Sequence, residues 1–330
     1  MLGGILALAA AATFGLNSVA IRRGVLSGTV AQGLAVSIPI GMPILLVAAL
    51  VSGGFGLLSA LPASNFLFLA GAGVTHFIIG RYSNYRSTKA MGANLVGPVH
   101  SSSLIITLAL AIFYLDEILT PLRVFGIILI LVGPLLSMCS PAVRGKTATG
   151  TSTATFKPKL LEGYGFAILC ALAFGASPIL IRSALLGIEN AGASAGVVGG
   201  LIAYTAAFSV LILYLLRPKH LRHALEMDRD TARWFSFTGL LVCISQMLRF
   251  MALAVAPVTV VSPIVQSTGI FRTLFGWFIN REHEIFDGWV LVGVATTIIG
   301  AVALTMSVGS VVDFVDLPEG LAAFLRLSWP

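Results

Sequence analysis

Ten stretches of close to twenty residues, each nearly free of charge, follow one another along the chain at about 1–20, 30–52, 65–82, 92–115, 121–140, 163–186, 193–216, 232–253, 258–279 and 286–308. A helix of roughly 20 apolar residues crosses the hydrocarbon core of a bilayer, so these stretches predict ten transmembrane helices and an all-α integral membrane protein. The composition agrees: 57% of residues are hydrophobic, 10% are charged and the mean hydropathy is +0.99. A soluble two-domain protein of the same length would not carry that balance. Cys139, Cys170 and Cys243 lie in or beside apolar runs without metal or redox spacing, so neither a disulfide framework nor a metal or cofactor site is expected. The net charge of +7 sits in loops between apolar runs, which excludes a basic nucleic-acid-binding module.

The first stretch ends in Ser18-Val19-Ala20, the pattern of a signal-peptide cleavage site, but it lacks a basic start. It is also echoed further on. Phe14-Gly15-Leu16-Asn17-Ser18-Val19-Ala20-Ile21-Arg22 returns as Phe174-Gly175-Ala176-Ser177-Pro178-Ile179-Leu180-Ile181-Arg182, which argues for a retained helix.

A longer echo links Asn94 to Gly133 with Thr259 to Gly300. Pro98 to Glu117 and Pro263 to Glu282 both span 19 residues, and Gly126 to Gly133 and Gly293 to Gly300 both span 7. The second turn is two residues longer, so Glu117 corresponds to Glu282 or Glu284. The chain therefore reads as a duplication: a first repeat over 1–140, a flexible Thr- and Ser-rich linker over 141–160, a second repeat over 161–308 and a peripheral tail over 309–330. A short surface helix is expected within 217–233.

Five helices per repeat is an odd number, so the halves must enter the membrane from opposite sides. Loops after the odd-numbered segments hold Arg22, Arg23, Arg81, Arg86, Lys89, Arg144, Lys146, Lys157, Lys159, Arg217, Lys219, Arg222, Arg229, Arg233 and Arg281, and those after the even-numbered segments hold Arg123, Arg182 and Arg249: 15 against 3. The positive-inside rule makes the odd loops cytoplasmic, with both termini outside, in two inverted five-helix repeats.

With its paired proline, acidic-turn and glycine-spaced motifs and the Phe-Gly openings of segments 1 and 6, the chain resembles the drug/metabolite transporter superfamily, in the ten-helix branch built from two EamA-type repeats. The resemblance covers nearly all of 1–308. It implies a carrier with a central cavity lined by segments 3, 4, 8 and 9 with parts of 1 and 6, and peripheral segments 5 and 10. Ten-helix members are usually drawn with cytoplasmic termini; the charge pattern here points the other way.

Polar groups inside spanning helices are costly and tend to face a cavity or a partner helix. All 13 acidic residues lie near helix ends or in loops, which disfavours exchange of protons for cationic drugs. Glu117 reads as a cap on the helix that comes after it. Arg249 and Arg272 reach into segments 8 and 9, and a cavity-facing arginine would hold a carboxylate or phosphate. His76 and His100 are the deep groups able to titrate near neutral pH, His100 being the first choice for proton coupling. Ser101 to Ser103 after Pro98, and Gln266 to Thr268 after Pro263, suit either repair of the backbone carbonyls the prolines free or a paired substrate patch. Asn17, Tyr82, Tyr85, Asn94, Ser177 and Gln246 complete the candidate lining with His76, His100, Ser101, Arg249, Gln266 and Arg272. Gly126, Gly133, Gly293 and Gly300 read as packing seams.

The expected function is secondary transport, with export the expected direction, of a small anionic or zwitterionic metabolite by alternating access at the repeat interface, in a plasma membrane and compatible with a homodimer. An intramembrane lipid or prenyl transferase would need clustered carboxylates or a nucleophile with its base, and neither stands in the chain. A non-transporting scaffold is the third alternative.

Overall fold

The computed structural model describes residues 1–25, 28–91, 93–138, 159–186, 188, 192–279 and 288–306, with scattered positions between 318 and 329. The linker over 141–158, Glu282, Glu284 and most of the tail lie outside the described residues.

Each apolar stretch coincides with helix. The elements are α1 (Leu2–Val25), α2 (Val30–Val51), α3 (Ala63–Gly73), α4 (Arg81–Met91), α5 (Ala93–Leu115), α6 (Pro121–Met138), α7 (Leu160–Leu185), α8 (Gly192–Leu215), α9 (Pro218–Leu225), α10 (Arg229–Val255), α11 (Val258–Gln266), α12 (Thr268–Ile279) and α13 (Gly288–Thr305). Among the described residues, six continuous stretches are long and apolar enough to cross a membrane: Leu2–Ala20, Val30–Val51, Ala63–Ser87, Leu160–Leu185, Gly192–Leu215 and Arg229–Val255. No named strand occurs among the described residues. The chain is a multi-pass membrane protein, and side chains such as Ile105, Phe113 and Leu161 face outward where a soluble protein would hide them.

Among the described residues, two segments depart from regular helix. The third runs from α3 to α4 through a π-helical stretch, Val74–Gly80. The ninth breaks at Ser267 into α11 and α12. Pro263 has no N–H for the helical ladder, and at the break the Ser267 hydroxyl and backbone N–H both donate to Ile264 O, at 2.6 and 3.0 Å, tightening the last turn of α11. The surface helix expected within 217–233 is α9, wholly on the exterior.

Glycines set how closely the helices approach. A methyl group on Gly15 in α1 would lie 2.8 Å from the backbone nitrogen of Arg272 in α12, and one on Gly175 in α7 would lie 3.1 Å from Ser103 O in α5. The two Phe-Gly openings therefore do the same job. Each glycine admits a neighbouring backbone while the phenylalanine beside it is free to point elsewhere. In the same way Gly126 of α6 meets Gly300 of α13, and Gly133 meets Gly293, as the sevenfold spacing predicts.

The N-terminus of α10 is capped by Asp228, which accepts from Thr231 N at 3.1 Å. Thr231's hydroxyl and backbone N–H hold the Asp228 carboxyl below its ordinary value. A lowered pKa means that the cap is complete above about pH 4 and is lost as pH falls through the lowered value. Thermal unfolding measured from about pH 5 down to about pH 3 is expected to fall more steeply for the wild type than for Asp228→Asn, which has no charge to lose. Parallel curves would remove the cap's contribution.

Candidate functional site

A cavity of ≈ 420 Å³ lies between the helices, with six of the ten segments contributing to its wall. Segment 1 gives Phe14, Asn17 and Ser18; segment 3 gives His76, Arg81, Asn84 and Tyr85; segment 4 gives Ser103, Leu104 and Thr107. Segment 6 adds Phe174 and Pro178, segment 8 adds Val242, Gln246 and Arg249, and segment 9 adds Ser262, Val265, Gln266 and Thr268. The volume suits a small metabolite.

The π-helical stretch positions the central histidine. The wider turn changes the rotation of the helix beyond it, and here it sets His76 on the cavity wall while Phe77 packs inward on Tyr204 with ring centroids 4.4 Å apart. His76 lies over Phe174 at 4.7 Å. Gln246 Nε2 is 2.8 Å from His76 Nε2, and Gln246 Oε1 accepts from Arg249 Nη1 at 3.4 Å. Arg249 Nη1 is also 3.3 Å and 3.5 Å from the two ring nitrogens. Gln246 and Arg249 are three residues apart on α10, hence on one face.

Arg249 is only 6% exposed, and its partners are neutral. The ion pairs among the described residues are Arg86–Glu162 and Arg233–Asp230, so no carboxylate answers the buried guanidinium. Arg81, the other cation on the wall, donates to Ser37 Oγ at 3.4 Å. No acidic residue lines the cavity among the described residues. A desolvated cation held by neutral groups is costly in isolation and favourable once an anion reaches it. Asn17 Oδ1 and Ser262 Oγ, buried at the same wall, have no hydrogen-bond partner.

Of the candidates read from sequence, Asn17, His76, Tyr85, Gln246, Arg249 and Gln266 meet at this cavity. The others do not. Tyr82 is turned outward, 49% exposed with its ring edge toward Phe166, because Arg81, Asn84 and Tyr85 share a helix face that Tyr82 does not. His100 is off the wall, its Nε2 3.3 Å from Ser87 Oγ in a helix-to-helix contact. Ser177 is fully buried beside the lining, where Pro178 takes its place. Arg272, one turn beyond Thr268, is exposed and past the lining. The side chains of Asn94 and Ser101 lie outside the described residues. In the two proline patches Ser103 and Gln266 line the cavity, while Ser102 and Ser267 donate to the carbonyls of Val99 and Ile264, which lie one residue after each proline and are not the carbonyls it frees.

Phe14, Thr107, Phe174, Val242, Ser262 and Val265 are lining residues that sequence alone does not single out. For the phenylalanines a signal exists, since the Phe-Gly echo places both at one position of the pattern.

The family model for EamA-like transporters matches residues 1–139. Over those residues the chain is similar to EamA-like transporters. A crystal structure of another protein, 18% identical, superposes on this chain with a TM-score of 0.65, covering 92% of this chain and 95% of that one. At that identity the likeness is one of fold. No curated protein matches. The helices make the chain a multi-pass membrane protein, and residues 1–139 are similar to a family of transporters.

Proposed function

We propose that this protein is a secondary transporter, not an enzyme, that moves a small anionic or zwitterionic metabolite by alternating access, as an exporter in a plasma membrane. The observation that carries the reading is the electrostatics of the cavity: Arg249 and Arg81 are the charged side chains on its described wall, and neither meets a carboxylate there. Arginine's planar fork fits a carboxylate or phosphate, and the unpartnered Asn17 Oδ1 offers an acceptor to an N–H of the same molecule. The sequence duplication and the 15-to-3 bias of basic residues support two inverted five-helix repeats, 1–140 and 161–308, with odd loops cytoplasmic and the cavity between them. Any proton coupling belongs to His76, which faces the cavity, and not to His100.

Counterflow in proteoliposomes tests the charge selectivity. Carboxylate-bearing and zwitterionic solutes are expected to exchange at rates about tenfold or more above organic cations of similar size, the scale of one charge-assisted contact. Exchange of cations with no exchange of anions would overturn the reading.

A further inference from the structure

At the end of the helices away from Arg81, Asn84 and Tyr85, the chain breaks between α10 and α11. Ala256 is extended, Pro257 caps α11, and the helix ends face one another across these two residues. Such a break exposes carbonyls at one end and amides at the other, and both need partners when buried.

The partners are charged and come from elsewhere in the chain. Glu117, in the turn between α5 and α6, accepts from Val258 N through Oε1 at 2.7 Å and from Thr259 N through Oε2 at 2.8 Å. Arg182, in the last turn of α7, donates through Nη1 to Leu253 O at 2.9 Å and Ala254 O at 3.0 Å. The carboxylate meets the positive end of α11 and the guanidinium the negative end of α10, the favourable sense for each helix dipole. The turn that carries Glu117 is itself constrained, with Asp116 at φ 52 and Leu119 exchanging backbone hydrogen bonds with Trp329 at 2.8 and 2.9 Å.

This clasp lies next to the cavity. Arg249 lies four residues before Leu253, and Ser262 three residues after Thr259, so about one helical turn separates the clasp from the wall on each strand of the break. Leu253, Val258, Thr259, Val261 and Ile264 are fully buried there and form a dry layer. Glu117 ties the start of α11 to the α5–α6 turn and Arg182 ties the end of α10 to α7, so movement of either helix end away from this side of the cavity requires its tether to release.

We infer that Glu117 and Arg182 are a gate, a latch on the α10–α11 junction that keeps the cavity shut on the side of the even-numbered loops and must release for the cavity to open there. The inference rests on the alternating-access reading. It differs from simple helix capping because the capped ends border the cavity and the capping groups come from elsewhere in the chain, one from the α5–α6 turn and one from α7.

Sidedness of labelling tests it. In a background freed of Cys139, Cys170 and Cys243, Ser262→Cys is exposed to a membrane-impermeant maleimide from each face of oriented vesicles. With the latch intact, labelling is expected from the odd-loop face alone. Glu117→Gln, which turns an amide N–H toward one of the two backbone donors, and Arg182→Gln are each expected to raise labelling from the even-loop face at least tenfold. The two variants are read independently, with monodispersity and thermal unfolding measured beside them, so that one misfolded variant leaves the other to decide. A folded variant with lowered thermal stability and unchanged sidedness would show capping alone and overturn the gate. Labelling is read without any substrate, so a protein that shows no flux yet shifts its sidedness retains the gate and loses the transporter reading. Flux with unshifted sidedness does the reverse.

Discussion

Arg249→Gln is expected to lower anion exchange in proteoliposomes by roughly 10- to 100-fold, the equivalent of about 1.5–3 kcal/mol for a hydrogen bond to a charged group. The glutamine keeps donors near His76 and Gln246 but removes the charge. Because the guanidinium is buried against neutral groups, its removal also relieves a desolvation cost, so the variant is expected to unfold at the wild-type temperature or above it. That pairing of lost transport with retained stability separates a substrate-binding role from a packing role, for which both would fall. Arg249→Lys keeps the charge without the planar fork and is expected to lie between the two. Unchanged exchange by Arg249→Gln would move the anion to Arg81, the other cation of the wall.

Much of this arrangement is legible in the sequence because membrane helices announce themselves. A stretch of twenty apolar residues has few alternatives, and each of the ten stretches is helical. The glycine seams are equally visible, since a spacing of seven returns to one face of a helix and the Gly126–Gly300 contact results from it. What the sequence does not carry is local rotation and long-range partners. A π-helical insertion leaves no mark in hydropathy, yet the one over Val74–Gly80 carries His76 on the cavity wall. Glu117 is legible as a helix cap, but sequence proximity assigns it to the wrong helix. The nearest start is that of α6, four residues later, whereas the positive φ at Asp116 turns the chain so that the carboxylate reaches α11, 141 residues away. Arg272 misleads for the opposite reason. It comes one turn after the lining residue Thr268, and position along the helix, not face, carries it past the cavity.

Gly300→Val is expected to lower the unfolding temperature by roughly 2–10 °C, taking overpacking at about 1–3 kcal/mol and the usual slope for a chain of this size. The reason is that nothing near Gly300 can yield cheaply. A Cβ there would lie 2.7 Å from Gly126 O and 3.0 Å from Ile130 N, both backbone atoms of α6, and 2.8 Å from Leu129 Cβ. Rotamer changes cannot move backbone, so α6 and α13 must separate, and separation forfeits dispersion along the whole seam, Gly133 against Gly293 included. Lipid cannot compensate, because its chains pack less densely on a helix than a fitted neighbour does. Gly165→Ala supplies the control. It stands on α7 with nothing within 4 Å of a new Cβ, so the same kind of substitution is expected to leave the unfolding temperature unchanged or raise it slightly by reducing backbone freedom. Neither glycine lines the cavity, so residual folded Gly300→Val is expected to exchange substrate at the wild-type rate per molecule. Equal unfolding temperatures for the two variants would refute the seam, and a transport defect in fully folded Gly300→Val would mean that α6 and α13 move against one another during the cycle.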